Sequence, residues 1–282
     1  MAPVRIVTDS ACDLPKALLE EHRIEVVPLT IRFGTDEFTD GVDLSTAEFW
    51  KRCASSARLP ETAAPSPGAF QAAFERLAGE GADGVVAVTL SSELSATYQS
   101  AVLGAEAVKD AIEVRVVDSR TVTAAEGLLA LEAATLAESG ASAADVASHT
   151  AVRVADADLV GTIDTMDHLV KSGRLSGAKA LFGSMLSVKP ILTVRDGLVV
   201  EGGRQRTRAR ALEHLATRTE AAAPFDWLAV GGGDADDLGI VVERLKGIDT
   251  AHPMIVTEIG PVVGTHAGPG IVGVCWLTRS PS

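Results

Sequence analysis

One histidine, His266, stands in the stretch IGPVVGTHAGPGIVGV (259–274) among glycines, prolines and short aliphatics. A neutral imidazole donates one hydrogen bond and accepts another, and its charge changes near neutral pH. Gly260, Gly264, Gly268 and Gly270 leave little side-chain bulk around the ring, so the imidazole can sit beside something other than protein. The alternative is a core histidine in a tight turn, bonded to a carbonyl. A second stretch, TLSSELSATYQSA (89–101), sets Ser91 and Ser92 at a strand end in front of a helix. Hydroxyls beside unpaired helix N–H groups hold an anion, although a plain N-cap at Ser92 would use the same residues. A nucleophile elbow is excluded, since GxSxG is absent and Glu93 stands where glycine is required. A lipid hydrolase or acyltransferase using Ser92 with His266 would need the pair within about 3 Å and an acid to orient the ring. The sequence names no such acid.

Other stretches carry weaker chemistry. TAAPSPGAF (62–70) brings Thr62 in a proline- and hydroxyl-rich loop, where capping by Ser66 with Pro67 at the first helical position is the simple account. SGRLSGAKALFGSMLSVKPIL (172–192) places Arg174 and Lys189 around a small apolar helix. Arg174 can reach an anion or pair with a surface carboxylate. Arg204, Arg206, Arg208 and Arg210 crowd into seven residues of an acidic chain, as a solvated face or a patch for an acidic partner. GGGDADD (231–237) has no lysine and three aspartates that would repel phosphate, so it reads as a turn with an acidic helix start. No HExxH, clustered His and Cys, or DxD set occurs, and no metal is expected. Asp9, Asp13 and Asp118 fall at strand ends and can meet there, although helix capping explains two of them as well.

The elements that must position these residues alternate. VRIVTDS, EVVPLTIRF, GVVAVTLSS and EVRVVDS read as strands, separated by helices such as PGAFQAAFERLAGEG with Phe70, Phe74 and Leu77 on one stripe. That alternation is the signature of a parallel α/β sheet, whose ligands gather at the carboxyl ends of the strands. In the second half, Arg195-Asp196-Gly197 marks an Asp-Gly hairpin, which implies a mixed sheet. The fold expected is therefore α/β with two domains. Residues 1–155 are expected to form a three-layer parallel-sheet domain and residues 156–282 an α/β domain with a mixed sheet. The small, polar stretch SGASAADVASHTAVRVADAD spans the boundary.

Composition narrows the function. A net charge of −13 works against a nucleic-acid partner or an anionic membrane surface. Cys12, Cys53 and Cys275 lie far apart, outside any disulfide or zinc spacing, which fits a reducing cytoplasm. No signal peptide and no apolar run long enough to span a membrane is seen.

Taken in order, VTDSACDLP, TAAPSPGAF, TLSSELSATYQSA, VVDS, SGRLS, SVKPIL, RTRARAL and IGPVVGTHAGPG resemble the DegV family over roughly residues 4–278. The resemblance implies a cytoplasmic bacterial protein without catalysis of its own or cofactor, holding one long-chain fatty acid between two α/β domains. It implies that the acyl carboxylate is presented to a separate fatty acid kinase subunit, which makes acyl phosphate for phospholipid synthesis. It further implies carboxylate contacts from Thr62, Ser91 or Ser92, and His266, with Arg174 and one of Arg204 or Arg206 meeting the kinase. The chain departs from the pattern at Ala63-Ala64, where Ser-Gln is usual, and at Ala96, where glycine is usual. On this reading His266 has glycine neighbours because a headgroup needs their space.

Overall fold

The computed structural model describes residues 4–56, 58–175 and 188–279. The chain begins with β1 (Val4–Asp9), a 3-10 turn (Ser10–Cys12), α1 (Lys16–Glu21), β2 (Glu25–Val27), β3 (Thr30–Phe33), β4 (Asp36–Thr39) and α2 (Thr46–Ser55). It continues through β5 (Glu61–Ala63), α3 (Pro67–Gly79), β6 (Gly84–Thr89), α4 (Thr97–Ala107), β7 (Glu113–Asp118), α5 (Ala124–Glu138) and α6 (Ala143–Arg153). The second half carries β8 (Ala157–Thr162), α7 (Asp167–Ser172), β9 (Lys189–Arg195), β10 (Leu198–Gln205) and α8 (Arg208–Ala222). It ends with β11 (Phe225–Gly233), α9 (Leu238–Leu245), β12 (Ile255–Glu258), α10 (Pro261–Ala267) and β13 (Ile271–Thr278).

Three sheets result. The first, ordered β2-β1-β6-β7, is parallel throughout. Its β6, GVVAVT, is buried on both faces, as a continuous apolar run in a covered parallel sheet should be. Phe70, Phe74 and Leu77 of α3 pack on one face beside Ala101 of α4, and α5 with Val146 of α6 covers the other. This is the expected three-layer arrangement. The second sheet, β10-β9-β8-β13-β11-β12, is mixed. Its β9–β10 hairpin turns at Asp196 (φ 52°) and Gly197 (φ 83°), a two-residue turn with both φ values positive, as the Asp-Gly pair demands. A small antiparallel sheet, β4-β3-β5, completes the set. EVVPLTIRF is therefore two strands in different sheets, divided at Pro28, which cannot donate to a ladder.

Helix α5 joins the halves. Eleven of its fifteen residues are buried, because it is apolar all round and lies between two sheets rather than at a surface. The core around Leu128, Leu129 and Leu131 takes in Ile6 and Val86 from one side and Leu159, Ala229 and Cys275 from the other. Among the described residues no strand pairing crosses residue 155, yet the boundary stretch is no loose linker. It contains α6, capped by Ser142, and ends in Arg153, which is 2% exposed. Arg153 reaches Asp156 at 2.6 Å, Asp226 at 2.7 Å and the Thr278 carbonyl at 3.0 Å, so its charge is neutralised where it is buried.

Candidate functional site: a narrow apolar cavity with a polar mouth

A cavity opens where the halves meet. Leu29, Leu90, Leu94 and Val122 line it from the first half, and Leu159, Leu192, Val194, Val199, Val262 and Ile271 from the second. The space not filled by atoms, mouth included, is about 890 Å³, and little of it is wide enough to pass a water molecule. The space is narrow, and a slim chain suits it better than a ring system. Apolar walls of this kind reward burial of methylenes and penalise a stranded charge.

Polar groups gather at one part of the wall. Thr62, Arg174 and His266 line both this cavity and a more polar outer pocket with Glu61, Lys171 and Ser172, so they stand at the passage between the two. Each is placed by a local device. Thr62 sits on β5, opposite Ile31 of β3. Gly173 ends α7 in the left-handed conformation (φ 71°), with its N–H on the Val170 carbonyl and that of Arg174 on the Leu169 carbonyl, which fixes the arginine at the helix exit. Among the described residues no carboxylate pairs with Arg174; its guanidinium donates to the Ser172 carbonyl at 2.7 Å. His266 rides on α10, which starts at Pro261 and ends at Gly268.

His266 Nε2 lies 2.9 Å from Thr62 Oγ1, and its buried Nδ1 has no partner among the described residues. Burial pushes its pKa down to about 4, and the nearby Arg174 and His168 push the same way. At neutral pH the ring is uncharged. A carboxylate arriving here would meet a hydroxyl, an imidazole nitrogen and a guanidinium, without a fully buried permanent cation.

The serine loop departs from expectation. Ser91 is buried and donates to the Gly197 carbonyl at 2.7 Å, clasping the β9–β10 hairpin tip, which Arg120 also holds through the Asp196 carbonyl. Ser92 is exposed and donates to Asp118 Oδ2 at 2.5 Å. Neither lines the cavity; the serine of this loop that does is Ser95, whose hydroxyl is bonded to that of Thr97 at 2.8 Å. Nor is Ser92 an N-cap, because α4 starts five residues later, behind Ala96. The Ser92–His266 pair that a hydrolase would require is therefore not assembled.

The glycines around His266 also require a correction. A Cβ on Gly264 would lie 2.8 Å from Phe49 and Trp50, one on Gly268 2.9 Å from the His168 ring, and one on Gly270 2.5 Å from Asp164. A Cβ on Gly260 would meet Asp13 Oδ1 at 3.0 Å. These glycines admit neighbouring protein, not a headgroup. Arg204 is exposed and paired with Glu201, and Arg206 is exposed; neither lines the cavity or the outer pocket. Arg208 makes a two-pronged bond to Asp237, 2.8 Å at each oxygen. The small helix expected between Arg174 and Lys189 lies outside the described residues. GGGDADD is not all turn, since its glycines end β11.

The acidic residues form a cluster of their own beside the cavity. Asp9, buried, accepts from the N–H groups of Ala11 and Leu90, at 3.0 and 2.9 Å. Asp13 does not cap α1; it takes the Thr123 hydroxyl at 2.6 Å and the Gly260 N–H at 2.8 Å, tying one half to the other. Asp118 stays apart, on Ser92 and the Arg120 N–H. Burial raises Asp9 to about 6, Asp13 to about 7 and Asp40 to about 6, and lifts Glu126 well above the usual carboxylate range. Among the described residues no group of three or more His, Cys, Asp or Glu has the arrangement to hold a metal ion.

The model of the family described as uncharacterised protein, DegV family, matches residues 3–279. The chain belongs to the DegV family. A DegV domain-containing protein of Streptomyces coelicolor is 36% identical over 98% of this chain and 99% of its own. Among solved structures, a fatty-acid-binding DegV-family protein from Thermus thermophilus superposes with a TM-score of 0.88 at 29% identity, covering 98% of this chain and all of that one. A stearic-acid-binding protein from Eubacterium ventriosum gives 0.86 at 26% identity, covering 98% of each chain. Against the DegV pattern, Ala96 strains nothing: its φ is −73° and it is exposed, so a methyl is accommodated where glycine is usual. No helix among the described residues is long and apolar enough to cross a membrane.

Proposed function

We propose that this protein binds one long-chain fatty acid in the cavity between its halves and presents the carboxylate at Thr62, Ser95 and His266, with Arg174 at the rim, to a kinase subunit for acyl-phosphate formation. The observation that carries the reading is the narrow apolar space with its polar groups collected at the passage to an outer pocket. The fatty-acid-binding relatives of the same fold support the ligand class. The protein acts as a carrier without catalysis of its own or cofactor, and phosphorylation belongs to the partner. Burying about fifteen methylenes at about 0.8 kcal/mol each is worth on the order of 12 kcal/mol gross, of which association consumes several. The tail supplies the affinity, while the polar groups fix the direction.

Arg174, half-buried at the mouth, is the residue assigned to the kinase encounter, and one of Arg204 or Arg206 supplies a second positive contact on the surface. Charges at a rim act mainly on encounter rate and salt dependence. Arg174→Glu should therefore leave fatty-acid affinity within a few-fold by calorimetry and slow acyl-phosphate formation by the cognate kinase. Equal losses in both would make Arg174 a headgroup ligand instead.

A further inference from the structure

Glycines next to a ligand are informative only where protein does not need their space. Side chains alternate along a strand, so β8 and β13 each present every second residue to the cavity. On β13 these are Ile271, Gly273 and Cys275, and on β8 Leu159 and Gly161; all five line the cavity. Gly161 and Gly273 are direct cross-strand partners in the antiparallel β8–β13 ladder. Two missing side chains side by side on one face make a recess in an otherwise walled floor.

Neither glycine is there for its neighbours. A Cβ built on Gly161 meets nothing closer than the Val272 carbonyl at 3.4 Å, and one on Gly273 nothing closer than the Val160 carbonyl at 3.7 Å. Neither has the positive φ that would exclude alanine. The same row contains its own control. Gly231 of β11 is the partner of Gly273 on its other side, and a Cβ there would come within 3.2 Å of Ile259 and 3.3 Å of Thr257. Protein fills the space over Gly231, while the space over Gly161 and Gly273 is left open. Glycine inside a strand costs stability relative to a larger residue, so an open pair has to be accounted for by something besides packing.

We infer that the Gly161–Gly273 recess is a tail-binding subsite that determines how much acyl chain the cavity admits. The inference rests on the fatty-acid reading above and extends it to the residues that set specificity. Along β13 the recess lies between Ile271, which packs in the cluster containing Ala267 beside His266, and Cys275, which packs in the core around α5. It therefore underlies the course of the chain rather than its headgroup.

The test uses full-length protein, delipidated, titrated with palmitate by calorimetry. One methyl placed in the recess displaces about one methylene, so Gly161→Ala and Gly273→Ala should each weaken palmitate binding about fourfold, and the double variant more than tenfold. Melting temperatures without ligand should stay at the wild-type value or rise. Gly231→Ala should instead lower the melting temperature, since its methyl must displace Ile259 and Thr257. Carried lipid in the glycine variants, weighed by native mass spectrometry after expression in one bacterial host, should shift to shorter chains. Unchanged palmitate affinity in both alanine variants overturns the inference and leaves the fatty-acid reading standing. Loss of fold in both also overturns it, because protein would then need the space. A wild-type protein that takes up no palmitate overturns both.

Discussion

Two regions meet at Thr123 and differ in every respect. On one side its residue lines the apolar cavity; on the other its hydroxyl is bonded to Asp13 in the buried acidic cluster. The cavity keeps open space and, among the described residues, a histidine nitrogen without a partner. The acidic cluster is densely bonded: Asp9 and Asp13 take backbone N–H groups from β6's exit, the 3-10 turn and the start of α10, and Thr8 donates to Glu126 at 2.9 Å. Strongly perturbed carboxylates are often taken as marks of an active site. Here one perturbed carboxylate, Asp13, ties the halves together, and the narrow apolar cavity is the region lined by few titratable groups.

The sharpest way to break that contrast is at Asp13. Asp13→Ala strands the Gly260 N–H and the Thr123 hydroxyl in the interior, and should cost about 2–4 kcal/mol of unfolding free energy by denaturant titration. Were Asp13 a ligand group instead, affinity would collapse while stability held. The pH dependence has a definite sign. Asp9, Asp13 and Asp40 hold their protons up to about 6, 7 and 6 in the folded chain, well above unfolded values. Their contribution is fully present below about pH 4 and is lost as pH rises to about 7. His266 opposes this, since its pKa is lowered to about 4 and its contribution is lost as pH falls from about 6.5. Three carboxyls outweigh one imidazole, so the melting temperature should fall between about pH 4 and 7, and Asp13→Asn should flatten that fall.

At the cavity mouth the effects belong to binding. His266→Ala removes a group facing the charged end of the ligand and should weaken fatty-acid binding ten- to a hundredfold, the equivalent of about 1.5–3 kcal/mol. Its melting temperature should change little; the opposite pattern would return His266 to the role of a core histidine.

The three serines of one loop sharpen the comparison further, with smaller effects. Ser95→Ala should cost binding severalfold, as one lost hydrogen bond of about 1 kcal/mol would. Ser91→Ala should instead lower stability by about 1–2 kcal/mol, because it leaves the Gly197 carbonyl unpaired under the hairpin tip. Ser92→Ala, on the surface, should change either quantity by less than about 0.5 kcal/mol.

Much of this was legible in the chain, and the failures have physical causes. The parallel sheet, the α3 stripe and the Asp-Gly hairpin follow from periodicity and turn chemistry, which are local. Thr62, Arg174 and His266 stand out in the sequence, and the structure brings the three together at one part of the cavity wall. The serine was misplaced because the turn after β6 runs on from Ser91 to Ala96, and hydroxyl spacing alone does not tell which of three faces inward. The glycines of α10 were misread for a similar reason: a sequence shows that space is left, but not what fills it. Gly161 and Gly273 attracted no notice, since each looks like an ordinary strand glycine until the register pairs them. Their signal was present in the alternation of GIVGVCWLT, read as positions rather than as composition.

The central claim is that the cavity carries one fatty acid, and native mass spectrometry of the protein purified from bacterial cells tests it most directly. The account predicts a folded species heavier than the bare chain by the mass of a single long-chain fatty acid, with that mass lost on denaturation. A folded protein at the mass of the bare chain, which also takes up no added oleate, would contradict it.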